Sequence, residues 1–243
     1  MSIGSLRSAV AFLTVIPVAG GEGKPAARLG RAYFPAVGAL LGLLAGLVFA
    51  LTASITTQTL GAVAAVAVMA ALTGGLHLDG VADAADGLFG RGTRAQRLEI
   101  MRDPRIGSFG AVALTMVLLG DVAALSALAP ARAIVALVIA GAVSRWAMLW
   151  VIAFVPYVRE TGLGVAAGGA NRAFDLVLGS ALAAVACVLD WRHAAVAIVV
   201  VGLTALLVSV VARRRIGGAT GDIYGAATEL CQLAALITFA VHV

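Results

Sequence analysis

Three aspartates recur at positions 79, 83 and 86 within the stretch TGGLHLDGVADAADGLFG (73–90). On a helix their i, i+4, i+7 spacing stacks the carboxylates of Asp79, Asp83 and Asp86 on one face. No Lys or Arg occurs from Ala32 through Gly90, so the three acids lack a countercharge nearby in sequence. Like charges so placed repel one another and favour a shared proton or a divalent cation. Oxygen-only ligands suit a hard ion such as Mg²⁺, which binds through a few carboxylates plus substrate phosphates. There is no Cys/His cluster to argue for zinc. His77 lies two residues before Asp79. As a neutral imidazole near pH 7 it has the right basicity to take a proton from an attacking hydroxyl, with a structural hydrogen bond as its competing role.

Five arginines follow the acids, at 91, 94, 97, 102 and 105. Carboxylates followed by guanidiniums can hold a metal–diphosphate without a Walker loop, the acids on the metal and the forked donors on phosphate oxygens. Alternatively the arginines mark one side of a membrane and pair with Glu99 and Asp103. That alternative is strongest for Arg91, Arg94 and Arg97. It is weaker for Arg102 and Arg105, which lie in the Gly-bounded turn MRDPRIGSFG closed by Gly107.

The elements that must position these groups are set by the solvent. Of the 243 residues, 62% are hydrophobic and 12% charged, with a mean hydropathy of +1.05. A soluble domain carries roughly twice that charge, at about 25%, and disorder requires low hydrophobicity. Composition and length predict an all-α, polytopic integral membrane protein forming one compact domain over residues 1–243, which the acid-rich loop would make catalytic. Apolar runs place about seven spans near 34–54, 58–76, 108–128, 131–155, 174–189, 193–212 and 223–242. The shorter apolar stretch Ala9–Val18 is expected at the membrane interface. Cys187 and Cys231 fall inside apolar runs and read as packed hydrophobes.

With alternating loops, fourteen basic residues share one side and only Arg132 and Arg192 the other. By the positive-inside rule this predicts a cytoplasmic N-terminus and an external C-terminus. The net charge of +5 therefore reports orientation and does not call for nucleic acid. The active-site loop, about 77–107, falls on the cytoplasmic side. So do Glu160 in VRETGLG (158–164) and Asp222 in RRRIGGATGDIYGAATEL (213–230). Asp222 and Glu229 are seven apart and share a helix face, with Glu229 about 10 Å into the membrane. Arg145 and Asp121 lie deeper, at about 15 and 20 Å by the same rise. Ionisable groups inside spans are functional candidates. A structural Arg145–Asp121 or Arg145–Glu229 pair is the alternative.

These residues resemble the cobalamin synthase family, the adenosylcobinamide-GDP ribazoletransferases, nearly end to end. The shared stretches include FLTVIPV (12–18), FPAVGALLG (34–42), TGGLHLDGVADAADGLFG (73–90), LEIMRDPRIGSFG (98–110), ETGLG (160–164) and TGDIYGAATEL (220–230). The long H-x-D-G-x-A-D-x-x-D-G pattern is the most specific. The resemblance implies a multi-pass enzyme of the bacterial cytoplasmic (inner) membrane in coenzyme B₁₂ biosynthesis, with its site facing the cytoplasm. It would join adenosylcobinamide-GDP to α-ribazole or its 5′-phosphate, release GMP, and form adenosylcobalamin or its 5′-phosphate with Mg²⁺ as cofactor. Asp79, Asp83 and Asp86 would hold the metal, and His77 would be the candidate base. Arg102 and Arg105 would steady phosphates, while Arg91, Glu99, Asp103, Gly107, Arg145, Glu160, Asp222 and Glu229 complete the candidate substrate-binding set. Whether the chain works as a homo-oligomer or beside other enzymes of the pathway is left open. It departs from the family pattern at Pro104, Asp121 and Ile223-Tyr224.

Two rival readings share parts of this pattern. Asp83-x-x-Asp86-Gly87-x-x-Gly90-Arg91 nearly matches the first half of a CDP-alcohol phosphotransferase motif, but Gly107 stands where its second half needs an acid. A transporter lined by Arg145, Asp121 and Glu229 would be expected to show repeated halves, and none is visible.

Overall fold

A computed structural model describes residues 3–18, 30–160 and 172–241. Among them every regular element is helical, and the only extended pairing is an isolated parallel bridge between Tyr157 and Ala219. The chain is an all-α, multi-pass membrane protein. It runs α1 (Ile3–Leu13), a 3₁₀ turn (Arg31–Tyr33), α2 (Phe34–Ile55), α3 (Gln58–Thr73), α4 (Leu76–Phe89) and α5 (Arg94–Ile100). Then come α6 (Ser108–Ser126), α7 (Pro130–Phe154), α8 (Arg172–Cys187), a second 3₁₀ turn (Val188–Asp190), α9 (Trp191–Ile216) and α10 (Gly221–Ala240).

α7 is apolar all round because it is enclosed on nearly every side, by α2, α8, α9 and α10. Where α2 and α7 cross, Gly38 and Gly141 bring the two backbones together. A Cβ on Gly38 would sit 2.0 Å from the Gly141 carbonyl oxygen, the small-residue seam typical of packed membrane helices. Arg31 donates to Asp175 at 2.6 Å and ties the start of α2 to the start of α8. α1 is eleven residues long, about 16 Å, and too short to span. Its Ala9 and Leu13 are buried, and Phe12 stacks on Phe34 at 5.5 Å, as befits an interfacial helix.

Length and apolarity give five crossings, or six when α3 and α4 are taken together, against the seven expected. Two local features account for the difference. The expected span 58–76 stops at Thr73, where Gly74 and Gly75 both adopt positive φ, 61° and 69°. Two consecutive left-handed residues are affordable only for glycine, and they turn α4 by 90° from α3. The expected spans 174–189 and 193–212 form one helical stretch, Arg172–Ile216. Asp190, with φ −153° and ψ 79°, breaks its α-helical path. Trp146 of α7 donates to Ser180 of α8 and also lines a groove with Gly202 and Ala205 of α9. The stretch therefore folds back against α7 at the 3₁₀ turn, so its two arms occupy the two expected positions and only its unbroken helicity lowers the count.

Candidate active site

Because of the 90° bend, α4 leaves the direction of α3 and packs against α6 and α10. Its helical phase does place Asp79, Asp83 and Asp86 on one face, yet the three meet different surroundings. Asp79 is exposed, and Asp83 and Asp86 are half-buried. Asp86 accepts from the backbone N–H of Gly107 at 2.7 Å and of Gly110 at 2.9 Å. Both carboxylate oxygens are thereby used to cap the first turn of α6, whose own N-cap residue, Gly107, has no side chain for the task. Asp83 has mainly like charges for neighbours. Burial, then the carboxylates of Asp79 and Asp222, push its pKa up to about 7, with Arg159 pulling the other way and Asp86 adding a smaller push.

The Asp86 clamp makes Gly107 sensitive. A Cβ there would lie 2.4 Å from Asp86 Oδ1. Gly107→Ala is expected to dislodge the cap and cost about 1–2 kcal/mol, measured as a lower thermal midpoint in detergent. Gly202→Ala, where an added Cβ meets nothing within 4 Å, is the control. Equal midpoints for the two variants would remove the capping role.

The opposite wall comes from α10 and from the strap after α7. Gly80 and Gly225 let α4 and α10 cross closely, since a Cβ on Gly80 would stand 2.8 Å from the Asp222 carbonyl oxygen. The strap is pinned by Val158 N–H donating to Ala219 O (3.0 Å) and Ala219 N–H to Pro156 O (2.8 Å). It delivers Arg159, whose Nη2 lies 2.8 Å from Asp222 and donates to the Met101 carbonyl at 3.2 Å. Asp222 also accepts from Thr220 Oγ1 at 3.1 Å. Between these walls lies a cavity of about 140 Å³ lined by His77 and Asp79 of α4, Met148 of α7, Tyr157 and Arg159 of the strap, and Asp222 and Tyr224 of α10, with Phe12 of α1.

Beneath the cavity the polar residues continue into the bundle. His77 is only 2% exposed, and its Nδ1 faces Glu229 Oε1 at 3.6 Å, just beyond hydrogen-bonding reach. Arg145 is fully buried. It bonds through Nη1 to Gln232 Oε1 (2.5 Å) and Ser144 Oγ (3.0 Å), leaving Nε and Nη2 without protein partners. The expected direct pairs Arg145–Asp121 and Arg145–Glu229 are not made, although both acids act on Arg145 electrostatically. Gln232 intervenes because it is one helical turn past Glu229 on the same face. Asp121, Glu229 and Gln232 share a small cavity of about 20 Å³, room for about one water molecule.

The arginine-rich segment divides in the same manner. Arg97 is buried and donates through Nη1 to the Gly87 and Leu88 carbonyls at 3.0 and 2.8 Å, closing the C-terminus of α4. Arg105 forms a two-pronged pair with Asp103, at 2.9 and 2.6 Å, on an exposed turn. That guanidinium holds the Asp103 carboxyl down to about 2. Arg91, Glu99 and Arg102 are exposed, as is Glu160 next to Arg159. The remainder of ETGLG, 161–164, lies outside the described residues, as do Lys24 and Arg28 of the basic side.

Arg159 and Tyr157 line the cavity and Gln232 belongs to the polar group beneath it, and none of the three stands out in the sequence. Arg159 adjoins Glu160 in the Gly-rich VRETGLG stretch, where in sequence it shows only as a positive charge. Gln232 was detectable as a polar residue at i+3 from an intramembrane acid. Phe12 and Met148 carried no signal separable from membrane hydrophobicity.

Among the described residues no three His, Cys, Asp or Glu side chains gather tightly enough to hold a metal ion by themselves. Asp79 and Asp83 nonetheless share a face, remain free of the capping that occupies Asp86, and sit within the field of Asp222. Oxygen donors of this kind fit a hard cation that brings phosphate oxygens of its own.

Fold and site together define a multi-pass membrane protein with a carboxylate-lined cavity at one end of its helical bundle. Over residues 5–240 the chain matches the profile of a family described as cobalamin-5-phosphate synthase. It is 37% identical to the adenosylcobinamide-GDP ribazoletransferase of Azorhizobium caulinodans, covering 99% of this chain and 96% of that one. It is 38% identical to the enzyme of the same name from Stutzerimonas stutzeri, with 98% of both chains covered. The namesake from Shigella boydii is 40% identical over 84% of each. The chain belongs to the cobalamin-5-phosphate synthase family. No solved structure matches it.

Proposed function

We propose that this protein joins adenosylcobinamide-GDP to α-ribazole or its 5′-phosphate, releasing GMP and forming adenosylcobalamin or its 5′-phosphate. Family membership supports the joining reaction in cobalamin synthesis. The observation that carries the chemistry is the cavity in which Asp79 and Asp222 face Arg159 beside the buried His77.

In the proposed reaction a ribose hydroxyl oxygen of the incoming nucleoside attacks the corrinoid-linked phosphorus. The bond from that phosphorus to the bridging oxygen breaks, its electron pair leaving with GMP. The hydroxyl proton passes to His77, with Glu229 at 3.6 Å to steady the resulting charge. Mg²⁺, held by Asp79 and Asp83, would neutralise charge on the diphosphate. Asp86 contributes by fixing α6 against α4. Arg159 is placed to orient phosphate oxygens, and the exposed Arg102 and Arg105 to meet the outer part of the nucleotide. Nucleotide substrates and the fourteen-to-two split of basic residues argue for a site facing the cytoplasm.

The test is a product assay with purified protein in liposomes. Adenosylcobinamide-GDP plus α-ribazole should release one GMP per corrinoid joined in Mg²⁺ and none in EDTA, while CDP-alcohols should give no turnover. Absence of GMP release under every condition would defeat the reading. Undiminished release in EDTA would defeat its metal component alone.

A further inference from the structure

The cavity of about 140 Å³ has a divided lining. His77, Asp79, Arg159 and Asp222 form its polar part, while Phe12, Leu76, Met148, Tyr157 and Tyr224 form an aromatic and apolar part. The aromatic part is already assembled. Tyr157 and Tyr224 stack with centroids 6.0 Å apart and an interplanar angle of 29°. Phe12 is stacked on Phe34 with the rings 5° from parallel. The strap hydrogen bonds Val158–Ala219 and Ala219–Pro156 hold Tyr157 beside the start of α10, and Tyr224 is 5% exposed.

We propose that this aromatic part is the subsite for the planar bicyclic base of the attacking nucleoside, an inference that rests on the transferase reading above. Its flat tyrosine wall, with the two rings 6.0 Å apart, suits a planar two-ring base. A base lying against the Tyr157–Tyr224 pair leaves its ribose with the polar group, where His77 and Asp79 await the hydroxyl. The other planar base available, the guanine of the corrinoid substrate, fits poorly. Its edge carries several donors and acceptors, which Phe12, Leu76 and Met148 would leave unpaired. A benzimidazole-type base has little to lose there and gains stacking on the tyrosines. Tyr224 thus becomes a specificity-determining residue for the nucleoside.

Equilibrium dialysis of α-ribazole against the purified full chain needs no turnover, so it tests the subsite even if transfer fails. Tyr224→Ala should weaken α-ribazole binding about tenfold or more, the effect of removing a stacking ring from under a base. Tyr224→Phe, which keeps the ring, should recover most of that loss. Tyr157→Ala, in the half-buried strap outside the helical bundle, carries the same expectation and serves if Tyr224→Ala does not fold. In the transfer assay the KM for α-ribazole should rise while the KM for adenosylcobinamide-GDP stays within about twofold. Unchanged α-ribazole binding in the alanine variants, or a rise confined to the KM of the GDP substrate, would overturn the assignment. A wild-type protein that binds α-ribazole through the tyrosines yet releases no GMP would retain the subsite and sink the transferase reading.

Discussion

Asp83→Asn should abolish GMP release while making the substrate-free protein more stable. The carboxylate sits half-buried among Asp79, Asp222 and Asp86, with only Arg159 opposing them, and its pKa stands at about 7 against a usual 3.8. The folded protein therefore binds a proton there more tightly than the unfolded chain does. It follows that Asp83 costs nothing below about pH 4, costs progressively more as pH rises, and costs its full amount above pH 7. Asparagine removes that cost, about 1–2 kcal/mol once solvent screening of a half-exposed group is allowed for. Thermal unfolding in EDTA should show a midpoint several degrees higher for the variant at pH 8 and nearly equal midpoints at pH 4.5. Activity should fall about 100-fold or more, because a metal-binding carboxylate supplies several kcal/mol of charge stabilisation in the transition state. If activity survives, Asp83 is no ligand. If the midpoint at pH 8 falls instead, the carboxylate has a stabilising partner and the electrostatic account is wrong.

The second large effect is expected deep in the bundle. Arg145→Met removes the cation acting on Asp121 and Glu229 and breaks the bonds to Gln232 and Ser144. Taking one partner from a buried charge group costs about 3–5 kcal/mol, since the remaining charges cannot reach water. The midpoint should drop by roughly 10 °C. Adding Asp121→Asn and Glu229→Gln to Arg145→Met should restore most of that stability, by replacing uncompensated charge with neutral polar groups of the same shape. The restored variant should still be slow, because His77 has lost the acid beside it. A drop no greater than about 2 °C for Arg145→Met alone would mean that these groups are not coupled.

Between them these variants separate what a sequence can specify from what it cannot. The solvent was decided by composition alone, because 12% charge cannot coat a soluble protein of 243 residues. The helical face carrying Asp79, Asp83 and Asp86 was decided by spacing, because helical periodicity is a local property. Family membership was carried by the H-x-D-G-x-A-D-x-x-D-G stretch for the same reason. Tertiary structure decided how equivalent-looking residues divide their work. Asp86, a candidate ligand by its spacing, also caps α6 because the first turn of a helix twenty-one residues later lies against it. Arg97 became the closure of α4, while Arg159, in sequence only a positive charge, came to pair with Asp222 in the cavity wall. Arg145 found Gln232 instead of an acid. Even the crossings followed this rule: apolar runs were visible in sequence, but the 90° turn at Gly74–Gly75 was not. Periodicity and composition act within a few turns of chain and leave their mark on neighbouring residues. The fate of a carboxylate or guanidinium is settled by whichever backbone or charge arrives from another helix, and no local pattern records that arrival.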